Sequence, residues 1–153
     1  MARLMALDLG EKRVGVALSD ESETLATPYE VVQRVSFARL LVRLEQIVAR
    51  EHVRALVIGH PLSLSGDIGP QARHLAAEAE RIAERLGLPL TLWDERLTTV
   101  RAQQLLAERG TRNGRRKRTV DAMVAAIILQ EYLDTQNTMK APNTVEEDFN
   151  ANG

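Results

Sequence analysis

Leu4-Met5-Ala6-Leu7-Asp8-Leu9-Gly10-Glu11-Lys12-Arg13-Val14-Gly15-Val16-Ala17 reads as two apolar strands folded back on each other. The first strand is expected over 3–9 and the second over 12–20, with Gly10-Glu11-Lys12 a link short enough for a hairpin. A third strand is expected over 23–32. Pro28 assigns it to an edge or a bulge, because proline cannot donate to a ladder.

Downstream, the pattern alternates between helix and strand. Phe37, Leu40, Leu41, Leu44, Ile47 and Val48 recur at helical spacing, so 36–51 is an amphipathic helix with Ser36 as N-cap. The run from Val53 to Gly59 is broken only by Arg54, which suits a buried parallel strand. Gly59 to Pro70 has loop composition, and Pro70 opens a helix that stops at Gly87. Residues 90–95 form a fifth strand, and Thr98 or Thr99 caps a helix to about Arg109. A Gly- and Arg-rich loop then reaches Arg118, and Thr119 caps a last apolar helix ending near Asp134. Residues 135–153 are polar and aperiodic and read as a tail. The expected fold is α/β: one domain over 1–134, with a mixed five-stranded sheet and helices on both faces.

Composition narrows the chemistry. With no cysteine, a disulfide framework, a thiolate zinc site and a cysteine nucleophile are excluded. Aromatic residues at 3% argue against a base-stacking platform, and a net charge of −1 means that any nucleic-acid affinity must come from a local patch. No apolar stretch is long enough for a membrane span, and the N-terminal run lacks the form of a signal peptide. The expectation is a cytoplasmic protein with no membrane partner.

Acids stand in apolar surroundings at three places. Asp8 interrupts the first strand, Asp94-Glu95 ends Leu90-Thr91-Leu92-Trp93, and Asp121 opens Val120-Ala122-Met123-Val124-Ala125. Carboxylates are rarely buried unless paired or metal-bound. If Asp8, Glu95 and Asp121 converge, they form a hard-oxygen site for Mg²⁺ or Mn²⁺, and such sites cut phosphodiester bonds. Each acid also has an ordinary reading. Asp8-Leu9-Gly10 could be a turn, Asp94 or Glu95 could pair with Arg96, and Asp121 could complement the helix dipole. Against the last reading, the helical neighbours Val124, Ala125 and Ile128 place Asp121 on the buried stripe. Strand alternation puts Asp94 and Glu95 on opposite faces, and the longer Glu95 is taken as the ligand with Asp94 as the alternative. His60 and His74 have no partner at metal-ligand spacing. Arg109, Arg112, Arg115, Arg116, Lys117 and Arg118 form a run of cations suited to phosphate, although such runs are often only solvated loop.

Ala6 to Ala17, Gly59-His60-Pro61-Leu62, Trp93-Asp94-Glu95-Arg96-Leu97-Thr98-Thr99 and Val120-Asp121-Ala122 together resemble the YqgF (RuvX) family of pre-16S rRNA nucleases. The resemblance covers about residues 3–134, and its most specific stretch is Trp93–Thr99. It implies a ribonuclease H-like fold and maturation of the 5′ end of 16S ribosomal RNA, with pre-ribosomes as a setting for the substrate. Carried over residue by residue, the acidic site is Asp8, Glu95 and Asp121. The family also looks like Holliday-junction resolvases, which keeps structured DNA open as a substrate. The chain departs from that pattern: Val53–Gly59 carries no acid, and Val124 stands where resolvases place a second helix acid.

The expected mechanism uses two Mg²⁺ or Mn²⁺ ions roughly 4 Å apart, with Asp8 as the bridge and Glu95 and Asp121 each holding one metal. Lys12, Arg13, Arg96, Arg112, Arg115, Arg116, Lys117 and Arg118 would contact nucleic acid. Two other classes stay open: an ATP-binding relative of this fold, which would need a second domain, and a non-catalytic RNA or transcription-complex binding module. Replacing Arg112, Arg115, Arg116 and Lys117 with alanine should weaken RNA binding. It should also flatten the salt dependence, by about 0.7–0.9 in log–log slope per lost contact. A filter-binding salt series that keeps its slope would remove the run from the interface.

Overall fold

The computed structural model describes residues 2–60, 70–94 and 114–152, and within the last stretch the side chains of 120–139. In chain order the elements are β1 (Arg3–Leu9), β2 (Arg13–Ser19), β3 (Ala26–Gln33), α1 (Phe37–Glu51), β4 (Val53–His60), α2 (Pro70–Leu86), β5 (Leu90–Asp94) and α3 (Gly114–Asn152). The strands form one sheet in the order β3-β2-β1-β4-β5. β2 is antiparallel to both β1 and β3, whereas β1, β4 and β5 run parallel. The carboxyl ends of β1, β4 and β5 therefore share one edge of the sheet, where open α/β sheets place their ligands.

The expected edge position of Pro28 holds. β3 is the outer strand, and its ladder slips between Val16 and Ala17, whose partners are Glu30 and Pro28. α1 starts as read, with the Ser36 hydroxyl accepting from the Arg39 amide. Pro70 opens α2, and Gly87 follows its end with a φ of 68°, a left-handed conformation that costs glycine little.

Strand alternation sorts the core into two layers. Met5, Leu7, Val14 and Val16 pack with Leu40, Leu44 and Ile82 of α1 and α2. Leu4, Ala6, Ala17 and Val57 pack with Val124, Ala125 and Ile128 of α3 on the other face. Helices thus cover both faces, as expected.

Gly15 sets the position of α3. A β-carbon there would lie 2.1 Å from the carbonyl oxygen of Asp121 and 3.0 Å from the Ala122 nitrogen. The helix backbone thus lies directly against the strand. Further along, Gln130 clasps the turn before β3: its Oε1 accepts the Ala26 amide at 2.9 Å and its Nε2 donates to the Thr24 carbonyl at 2.8 Å. These two fixed points set the register of α3 along the sheet.

Two expectations about the last helix are corrected. Thr119 is not its cap, because α3 already begins at Gly114 and takes in Arg115 to Arg118. Long unbranched cations are good helix formers, so a run that looks like loop by charge continues the helix. At the other end α3 does not stop near Asp134 but continues to Asn152. Thr135, Asn137, Thr138 and Met139 are exposed, so no core imposes an apolar stripe there and the sequence shows no period. β4 extends one residue past its expected end, to His60. The loop expected after Gly59 (residues 61–69) and the helix expected to reach Arg109 lie outside the described residues. Among the described residues, no helix is long and apolar enough to cross a membrane.

Gly15→Ala should destabilise the protein by about 3 kcal/mol, since a methyl group there must push α3 off the sheet. Urea unfolding checks this, and a midpoint equal to wild type would show that α3 is not seated on Gly15.

Candidate active site

Asp8 lies one residue before the end of β1 and follows Leu4 and Ala6 onto the face covered by α3. It is 4% exposed. Across the antiparallel ladder its partner is Gly15, the residue on which the Asp121–Ala122 peptide rests. One close approach therefore brings the two acids to the same place on the same face. Asp121 is 7% exposed, and Val124, Ala125 and Ile128 share its buried stripe as expected.

A cation completes the group. Arg13, the first residue of β2, donates from Nε to Oδ2 of Asp121 at 2.9 Å. Burying a carboxylate is costly unless it is paired and hydrogen-bonded, and this contact offsets part of that cost.

The turn between Asp8 and Arg13 is braced from the opposite side. The Gly10 amide donates to the Arg13 carbonyl at 2.9 Å, and a β-carbon on Gly10 would lie 2.7 Å from that same oxygen. The Arg34 amide donates to the Lys12 carbonyl, and Arg34 Nε donates to the Gly10 carbonyl at 2.6 Å. Both terminal nitrogens of Arg34 hold the Glu78 carboxylate on α2. This brace ties the Gly10 turn to β3 and α2. Glu11 and Lys12 are exposed on the turn itself.

The second candidate stretch is partly described. Trp93 packs on the α3 side, edge-on to Tyr132 with ring centroids 5.9 Å apart. Leu90 and Leu92 pack on the α1–α2 side. Asp94 shares their parity and pairs in register with His60, so it lies on the face opposite Asp8 and Asp121. Glu95, Arg96 and Arg112 lie outside the described residues. The backbone of Arg115 to Arg118 lies in the turns of α3 just before Asp121. Among the described residues, no group of three or more His, Asp or Glu gathers into a metal-holding cluster. Asp8 and Asp121 together supply hard oxygen donors in a chain without cysteine, and that donor set suits Mg²⁺ or Mn²⁺.

A family model described as "RuvX: Holliday junction resolvase" matches residues 2–135. The chain belongs to the RuvX family. Relatives described as "Putative pre-16S rRNA nuclease" include one from Symbiobacterium thermophilum, 43% identical over 134 residues, which are 88% of this chain and 93% of the relative. Another, from Caldanaerobacter subterraneus, is 41% identical over 135 residues, covering 88% and 97%. Among solved structures, RuvC from T. thermophilus in complex with a Holliday junction substrate superposes with a TM-score of 0.54 at 14% identity. That similarity covers 89% of this chain and 96% of RuvC. The fold is thus the ribonuclease H-like fold that the RuvX resemblance implied.

Sequence reasoning missed Gly15, although a glycine inside a strand is a signal of close backbone approach. It also missed Arg34, which carries no local motif, and the pairing of Arg13 with Asp121 across 108 residues of chain. Arg34→Ala should leave Glu78 unbalanced and cost about 3 kcal/mol by urea unfolding. It should also speed amide exchange at Gly10. Native-like protection of that amide would show that the brace does not hold the turn.

Proposed function

We propose that the chain is a metal-dependent nuclease that trims the 5′ end of pre-16S ribosomal RNA in the cytoplasm. The observation carrying this reading is that two buried acids, Asp8 of β1 and Asp121 of α3, both adjoin Gly15 on one face of the sheet in a RuvX chain. The names of its relatives supply the RNA substrate.

Asp8, Asp121 and Glu95 would hold two Mg²⁺ or Mn²⁺ ions. Parity weighs against Asp94, because Trp93 faces α3 and Asp94 faces away from Asp8 and Asp121. Bound ions of this kind lower the pKa of a water and stabilise the leaving oxygen. The protein's own contribution is rigid placement of the carboxylates, through the braced Gly10 turn and the seat of α3 on Gly15. The cations at the start of α3, with Lys12, Arg13 and Arg96, would position the phosphate backbone, helped by the positive end of the helix dipole.

A junction-resolving activity is the second reading, favoured by the family description and the likeness to RuvC. Two features weigh against it. β4 offers no acid, and Val124 is 1% exposed where resolvases of that type carry a carboxylate.

The test is cleavage of a 16S precursor and, in parallel, of a four-way junction, with and without Mg²⁺. Asp8→Asn, Glu95→Gln and Asp121→Asn should each lower Mg²⁺-dependent RNA cleavage by more than about 100-fold and leave metal-free folding intact. Asp94→Asn should retain activity. A precursor left whole while the junction is cut would move the function to the second reading. A dead Asp94→Asn beside an active Glu95→Gln would reverse the ligand assignment.

A further inference from the structure

We infer that Arg13 is a placeholder for metal. It holds the Asp121 carboxylate in the metal-free protein and surrenders it on loading, and its guanidinium then grips a phosphate of the nucleic acid. This rests on the reading of Asp8 and Asp121 as metal ligands.

Electrostatics gives the first argument. Asp8 and Asp121, 4% and 7% exposed, both adjoin Gly15 on the α3 face, and the desolvation of two neighbouring acids opposes folding. A cation must balance them when no metal is bound, and Arg13 is in contact with one of them. A permanent structural cation and a temporary one make different contacts, and among the described residues the three hydrogen-bonded arginine–carboxylate pairs away from the site provide the comparison, the looser Arg3–Glu21 contact at 3.9 Å being no hydrogen bond. Arg34 grips Glu78 with both terminal nitrogens. Arg43 grips Glu30, and Arg54 grips Glu23, each with Nε and Nη2. These are two-pronged, the strong form of the pair.

Arg13 touches Asp121 through Nε alone and at one oxygen, Oδ2. Its terminal nitrogens carry four of the roughly five N–H donors of a guanidinium. Neither forms a hydrogen bond with another described residue. The pair is therefore weaker in geometry than those three, although it is the one beside the candidate active site.

Exposure supplies the direction of release. The Arg13 side chain is 23% exposed and that of Asp121 10%, so the arginine occupies the solvent side of the pair. Its backbone is fixed, because its carbonyl accepts the Gly10 amide. Only the long side chain must move, and an outward swing leads it toward the face where the phosphate backbone would lie. A divalent ion competes well for Asp121 because it carries twice the charge and recruits Asp8 at the same time.

Calorimetric titration of Mn²⁺ into wild type, Arg13→Gln and Asp121→Asn is the test, with melting temperatures taken before and after loading. The placeholder predicts that Arg13→Gln binds Mn²⁺ about five- to tenfold more tightly, since a competing state has been removed. The same variant should melt lower than wild type without metal, converge with it when loaded, and bind RNA more weakly. Weaker or unchanged Mn²⁺ affinity in Arg13→Gln would overturn the inference, because Arg13 would then orient Asp121 within the loaded site or be indifferent to it. If Asp121→Asn binds Mn²⁺ as well as wild type, the underlying ligand assignment fails too. If only the Arg13 arm fails, that assignment stands.

Discussion

The peptide between Asp121 and Ala122 rests on the α-carbon of Gly15, closer than any β-carbon would permit. The rest of the candidate site depends on this approach. Gly15 is the ladder partner of Asp8, so seating α3 there brings a helix acid to a strand acid. The clasp at Gln130 and the packing of Val124, Ala125 and Ile128 hold the helix in that register. A one-residue slip of α3 would rotate Asp121 by about 100° and replace it with an apolar neighbour.

Charge then follows from geometry. Two buried acids beside Gly15 call for positive charge, and the molecule supplies it at two ranges. Arg13 contacts Asp121 directly. The cations of 115–118 lie one to two helical turns before it along α3. A metal nuclease needs both: local charge to settle the acids, and outlying charge to gather a polyanion. The braced Gly10 turn keeps the arrangement stiff, because Arg34 links it to β3 and α2 on the far side of the sheet.

Much of this was legible in the sequence, and the parts that were not share a cause. Strands and amphipathic helices show themselves through periodicity, so β1 to β5, α1 and α2 were placed closely. Asp8 and Asp121 stood out because a charge in an apolar run is costly to bury. The ends of α3 were misplaced because periodicity reports packing, and neither the cationic first turns nor the exposed residues past Asp134 reveal helix through an apolar stripe. The alternation of Asp94 and Glu95 was readable, but which face Asp94 takes required the contact of Trp93 with Tyr132. Long-range pairs such as Arg13–Asp121 have no local signature, so Arg13 read only as a cation for nucleic acid.

The central claim is that Asp8 and Asp121 form one metal-holding centre on the α3 face. Anomalous scattering from crystals grown with Mn²⁺ addresses it most directly. The account predicts a manganese peak within bonding distance of carboxylate oxygens from both Asp8 and Asp121. A peak held by Asp94 on the opposite face, or a fully loaded protein with no ion at Asp8, would contradict it.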